Sequence, residues 1–187
     1  MIVVGASVGG AHALKTLLSA LPATFPETIV LVLHRHRDSD GALIDALQQD
    51  SRIPVIEITD KQRIERGVVY VAPADYHLLI DRDRFSLSVD EPVRYARPSI
   101  DVLFESAAAA GYSRLIAVIL TGGGSDGANG VAAIEAAGGK ILVQSPAQAS
   151  AADMPRAALT RVPTAEVHTL TGLSERLIVL TSVEEKE

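Results

Sequence analysis

Cysteine and tryptophan are absent from this 187-residue chain, and aromatic residues make up only 4% of it. Without cysteine there is no disulfide, no thiolate metal site and no cysteine nucleophile. With so few rings, the core must be built from alanine, valine, leucine and isoleucine, the side chains that fill parallel α/β sheets. Hydrophobic residues still reach 48%, enough for one well-buried domain spanning residues 1–187. There is no long basic cluster, and the net charge is −6. That argues against general nucleic-acid binding and against attraction to anionic membranes. No apolar stretch approaches the roughly 20 residues of a spanning helix, so membrane insertion is not expected. No basic n-region or small-residue cleavage site marks a signal peptide. A cytoplasmic protein fits these absences.

What is present is a rhythm. MIVVG reads as a first strand, and residues 10–20 as a helix whose Ala13, Leu14, Leu17, Leu18 and Leu21 fall at helical spacing, closed by Pro22. TIVLVLH (28–34) is a continuous, β-branched run of the kind buried on both faces. Asp40 caps a helix over ALIDALQQ, and IPVIEI (53–58) and GVVYVAP (67–73) follow as strands. HLLIDRDRFSLSV (77–89) differs: two alternating runs flank a charged turn, which predicts an antiparallel hairpin. Pro98 and Ser99 open a helix that Gly111 ends. LIAVILTG, a helix over SDGANGVAAIEAAGG, and KILVQS continue the alternation. A short helix from Met154, the strand AEVHTL and the helix LSERLIVL precede a charged tail, VEEKE. Repeated βαβ units predict an α/β fold: a doubly wound, mostly parallel sheet with helices on both faces and a small antiparallel hairpin.

In such sheets ligands bind at the carboxyl ends of the strands. The first strand there carries GASVGG, the second ends in His34, and the central one runs into Thr121-Gly122-Gly123-Gly124-Ser125-Asp126-Gly127. Singly, each residue has an ordinary reading: Ser7 as a turn residue, His34 as a half-buried polar group, Asp126 as a helix N-cap. Together, at neighbouring strand ends, they supply a nucleophile, a base and an orienting carboxylate. The rival is nucleotide binding. It is weaker because serine replaces the second glycine of the dinucleotide fingerprint, His34 stands where an acid is wanted, and no Walker lysine exists. GASVG satisfies the nucleophile-elbow pattern G-x-S-x-G, yet the order Ser7, His34, Asp126 is not that of the ordinary α/β-hydrolases.

GASVGG, the strand-end histidine, VYVAPADYHLLI, ARPSIDVLFESAA, AVILTGGGSDGANG and DMPRAAL, in that order, resemble the catalytic domain of the CheB-type chemotaxis receptor methylesterases. The resemblance runs from Val3 to about Leu180. It implies a serine hydrolase that removes methyl groups from glutamyl methyl esters on the cytoplasmic helical bundle of methyl-accepting chemotaxis receptors. Many members also deamidate receptor glutamines. It implies Ser7 as nucleophile, His34 as base and Asp126 as orienting acid, with no metal and no cofactor. Amides of Val8 and Gly9, or of the Gly122–Gly124 loop, would hold the oxyanion. Three departures from the family pattern stand out: Val8 for threonine, Leu33 for glutamine and Gly123 for methionine. His36 is a competing base by proximity. Arg35, Arg37, Arg94, Arg97 and Arg156 are candidates for drawing in an acidic substrate. The family's receiver domain is not in the sequence, so a longer parent chain carrying it, or a methyltransferase module, is one expectation and a stand-alone esterase another. A non-catalytic receptor-docking module and a small-molecule esterase are the alternative functions.

Overall fold

The computed structural model describes residues 1–35 and 42–182. The expected cap Asp40, the competing base His36, Arg37 and the tail VEEKE lie outside the described residues. The chain alternates as its apolar pattern predicts. β1 (Ile2–Ala6), β2 (Ile29–Leu33), β3 (Val55–Glu57), β4 (Val69–Val71), β7 (Ile116–Ile119), β8 (Lys140–Gln144) and β9 (Glu166–His168) form one sheet in the order β3-β4-β2-β1-β7-β8-β9. Every pairing in that sheet is parallel. β5 (His77–Asp81) and β6 (Arg84–Ser88) make the separate antiparallel hairpin, with Arg82 at its tip in left-handed backbone.

The continuous apolar runs are explained by burial on both faces. Ile2, Val4, Ala6, Leu31 and Leu33 pack on α1 (Gly10–Ser19), α2 (Ala42–Asp50) and α6 (Leu170–Thr181). Val3, Val30, Val32, Ala117 and Ile119 face α3 (Ile100–Ala109), α4 (Ala128–Ala136) and α5 (Asp153–Arg161). Burying each such side chain contributes about 1.5–3 kcal/mol. The hairpin joins the second core through Leu78, Ile80 and Phe85, whose ring meets Tyr70 edge-on at 4.8 Å. The last helix begins earlier than expected, because Thr169 caps it by accepting from the Gly172 amide. Among the described residues no helix is long and apolar enough to cross a membrane.

One feature of topology positions the site. The chain lays β2, β4 and β3 on one side of β1, and β7, β8 and β9 on the other. The strand order therefore reverses between β1 and β7, which opens a crevice at their carboxyl ends. Gly5, near the end of β1, lets α3 come close to it: a Cβ there would stand 2.5 Å from Ile100 Cγ2.

Candidate active site

Ser7 and His34 each lie one residue past the register pair Ala6 and Leu33 of the parallel strands β1 and β2. The His34 amide extends the ladder by donating to Ala6 O at 3.0 Å. Adjacent strands run roughly 4.8 Å apart, so the two residues stand side by side. Alternation turns both toward the α3 face, opposite to Ala6 and Leu33.

On that face His34 Nε2 meets Asp126 Oδ2 at 2.8 Å. Asp126 does not cap its own helix, the ordinary reading of that residue; the N-cap of α4 is Gly127. It caps α3 instead. Its carboxylate accepts from the amides of Ile100 at 2.7 Å and Asp101 at 3.0 Å, and from Ser99 Oγ at 2.9 Å. Ser99, the formal N-cap of α3, leaves its own helix uncapped and spends its hydroxyl on Asp126. The amide of Gly127 completes the set at 3.0 Å. Burial acts to raise the carboxyl pKa, but the hydrogen bond from His34 and the amides of Asp101 and Ile100 outweigh it and hold Asp126 below the usual aspartate value. An anion at the start of a helix also lies at the favourable end of its dipole. An ionised Asp126 requires the proton of His34 on Nε2, which leaves the Nδ1 lone pair free as a base.

The turn carrying Ser7 is held through its backbone. Ser7 N donates to Thr121 O at 2.9 Å, and Gly10 N to Ser7 O at 2.7 Å. Thr121 Oγ1 lies 2.9 Å from Val8 O and accepts from the Ala151 amide at 2.9 Å. Gln144 Oε1, fully buried at the end of β8, accepts from Thr121 N at 2.7 Å. Gly9 adopts φ +78°, and a Cβ on it would sit 2.7 Å from the Ser150 side chain. Glycine is therefore required there on two counts. The hydroxyl of Ser7 makes no hydrogen bond among the described residues, so the structure joins His34 to Asp126 but not to Ser7. Amides of Val8, Gly9, Gly123 and Gly124 are likewise without a partner among the described residues. Gly122 packs against Ser7, since a Cβ there would be 2.9 Å from the serine Cβ, whereas a side chain at Gly123 would meet nothing within 4 Å.

A cavity of about 510 Å³ opens beside His34 and Asp126, lined also by Arg35, Arg94, Tyr95, Arg97 and Gly123. Ser7 does not line it. The arginines are less available than solvated surface residues would be. Arg97 donates to Asp75 Oδ1 and to the carbonyls of Val89 and Asp90. Arg94 reaches Ser125 Oγ at 2.5 Å and stands 3.8 Å from Asp101. The Arg35 side chain is 8% exposed, bonded to Glu57 and to Ala72 O, with Nε and Nη1 lacking a partner among the described residues. Arg156 is exposed on α5. The roles of Thr121, Gln144 and Ser99 escape a reading of the sequence, because they are contacts between distant segments. Only the Pro-Ser before α3 carried any signal, and it pointed to a cap. Among the described residues no group of three or more His, Asp or Glu side chains is placed to hold a metal ion.

The family model described as CheB methylesterase matches residues 2–177. A Leptospira interrogans protein provisionally named protein-glutamate methylesterase/protein-glutamine glutaminase is 45% identical, over 96% of this chain and 93% of its own. The relative from Carboxydothermus hydrogenoformans, named protein-glutamate methylesterase/protein-glutamine glutaminase 1, is 38% identical over 95% of this chain and 54% of its own. The chain thus matches nearly the whole of one relative and about half of the other. The crystal structure of the Thermotoga maritima CheB methylesterase catalytic domain superposes with a TM-score of 0.90 at 31% identity, covering 96% of this chain and 97% of that one.

Proposed function

Because this chain belongs to the CheB methylesterase family, we propose that it hydrolyses glutamyl methyl esters of chemoreceptors, with Ser7 as nucleophile, His34 as base and Asp126 as orienting acid. The observation that carries the assignment is the His34–Asp126 pair, anchored on the start of α3 one strand away from a serine on a backbone-held turn. Ser7 Oγ attacks the ester carbonyl as its proton passes to His34 Nδ1. The resulting oxyanion takes the free amides of Val8 and Gly9, or those of Gly123 and Gly124; one well-placed donor contributes roughly 3 kcal/mol. Collapse breaks the bond to the methoxy oxygen, and His34 returns the proton so that methanol leaves. Water then gives its proton to His34 and adds to the glutamyl-enzyme, and collapse restores Ser7 and frees a glutamate carboxylate. A glutamine amide follows the same route with ammonia as leaving group. We place the reaction in the cytoplasm, where a receptor's helical bundle would present its esters.

Methanol release from methylated receptor tests this directly. The wild-type chain should release it and Ser7→Ala should not, while a fluorophosphonate labels only the former. Labelling and turnover that survive in Ser7→Ala would overturn the assignment.

A further inference from the structure

Seven large hydrophobic side chains are exposed among the described residues: Val8, Ile56, Tyr76, Val89, Tyr95, Val167 and Val179. Three of them, Tyr76, Val89 and Tyr95, belong to segments that a single arginine ties together. Arg97 grips the side chain of Asp75, next to Tyr76, and the backbone carbonyl of Val89, and lies two residues from Tyr95. Asp75, Tyr95 and Arg97 all line the cavity beside His34. Tyr95 therefore stands on the wall of the site, and Arg97 ties to it the segments that carry Tyr76 and Val89.

Tyr95 is the most exposed of them, and its backbone is held at a cost. Val93 and Ala96 exchange both of their backbone hydrogen bonds, making a two-residue hairpin turn whose tips are Arg94 (φ 49°) and Tyr95 (φ 66°). Such turns favour Asn-Gly, because side chains strain in left-handed backbone. Here an arginine and a tyrosine occupy them. The turn aims Arg94 at Ser125 and leaves the tyrosine ring wholly in solvent. Among the described residues nothing covers that ring, and an exposed aromatic in strained backbone is the kind of feature found at binding sites.

Resting on the function proposed above, we infer that Tyr76, Val89 and Tyr95 form the docking rim for one helix of the receptor bundle, with Tyr95 as its anchor. An amphipathic helix offers an apolar stripe to such a rim, and its ester-bearing side chain then reaches across the cavity to Ser7. A small ester needs only Ser7 and its neighbouring amides, not the rim. Arg94, half-exposed on the cavity wall and 3.8 Å from Asp101, suits a carboxylate of an acidic helix lying above it. The rim selects a protein substrate; the triad does the chemistry.

The test compares methanol release from methylated receptor with hydrolysis of p-nitrophenyl acetate. Tyr95→Ala and Val89→Ser should each raise the apparent KM for receptor, by roughly ten-fold for the tyrosine as expected of an interfacial aromatic anchor. The kcat on receptor and the rate on the small ester should stay within about two-fold. Tyr95→Gly separates docking from folding: glycine accepts the left-handed backbone, so Tm should not fall while KM rises as in the alanine variant. Val179→Ser on α6 is the control and should leave KM unchanged. An unchanged KM in Tyr95→Ala, a matching rise in Val179→Ser, or equal losses on both substrates would overturn the rim. No methanol from the wild type would instead defeat the function itself, and the rim with it.

Discussion

The two halves of the candidate site are held in different ways. The acid–base half is finished: five hydrogen bonds converge on Asp126, four from amides and hydroxyls and one from His34. The nucleophile half is finished only in its backbone. Thr121, Gln144 and Ala151 clamp the turn, while the Ser7 hydroxyl has no partner among the described residues. Preorganisation is thus invested where charge must be stabilised. In the proposed mechanism the contact between serine and histidine is left for substrate to close, as catalytic hydrogen bonds often are without ligand. Damage to the first half should cost the proton transfer, and damage to the second should cost alignment.

The largest effect is expected from Asp126→Asn. The amide no longer demands a proton on His34 Nε2, so the imidazole shifts toward the tautomer with Nδ1 protonated and the base is lost. By analogy with serine proteases the fall in kcat is roughly 10⁴-fold. The same change weakens the cap of α3 by about 1 kcal/mol. Single-turnover acylation by a small ester reports the first effect and chemical denaturation the second. Acylation at the wild-type rate would show that His34 does not depend on Asp126 for its tautomer.

Thr121→Val probes the other half and should cost less. Valine fills the space but removes the hydroxyl that joins Val8 O and Ala151 N. Leaving those groups unpaired destabilises by about 1–3 kcal/mol. The Ser7 turn then drifts, and a misplacement near 1 Å is worth roughly 100-fold in rate. Because His34 and Asp126 are untouched, the pH dependence of kcat should keep its wild-type shape, unlike that of Asp126→Asn. A changed pH profile in Thr121→Val would mean that the two halves are not independent.

This division also explains what the sequence discloses. The order and type of the elements follow from local signals: apolar runs buried on both faces, the helical spacing of Leu14, Leu17 and Leu18, the alternation on either side of Arg82-Asp83. The adjacency of Ser7 and His34 follows too, once β1 and β2 are known to be parallel neighbours. The anchoring of Asp126 does not. Its amides come from a helix 25 residues earlier in the chain, and a lone Asp-Gly before a helix looks like a cap for that helix. Arg97 and Arg35 mislead for a similar reason. An arginine in a polar segment reads as solvated, and only tertiary contact shows Arg97 gripping Asp75 and Arg35 buried against Glu57. The Thr121 clamp is equally silent, being made of one hydroxyl and backbone groups from three segments.

The smallest predicted effect concerns the carboxylate next door, and it sharpens the contrast between a group the fold equips and one it does not. Asp101 is as buried as Asp126, but its Oδ1 takes the Gly130 amide while its Oδ2 has no hydrogen-bond partner among the described residues. Burial, with the charge of Asp126 adding to it, outweighs the Gly130 amide and the Arg94 charge and raises the Asp101 pKa above its ordinary value. The two carboxyls are therefore linked to stability with opposite signs. Asp126, lowered, contributes stability above the unfolded aspartate value of about 4 that is lost as pH falls through its folded pKa. Asp101, raised, contributes below about 4 and loses that contribution as pH climbs through its folded pKa, because the native state then surrenders a proton it prefers to keep. Asp101→Asn mimics the protonated form and removes this dependence. Its stability relative to wild type should improve as pH rises above about 4 and level off once the native Asp101 is ionised, with hydrolysis of a small ester changed by no more than a few-fold. Urea denaturation of both proteins across that range measures the difference. A difference that is flat with pH, or that moves the other way, would show that Asp101 is ionised without penalty and that the fold equips both carboxylates alike.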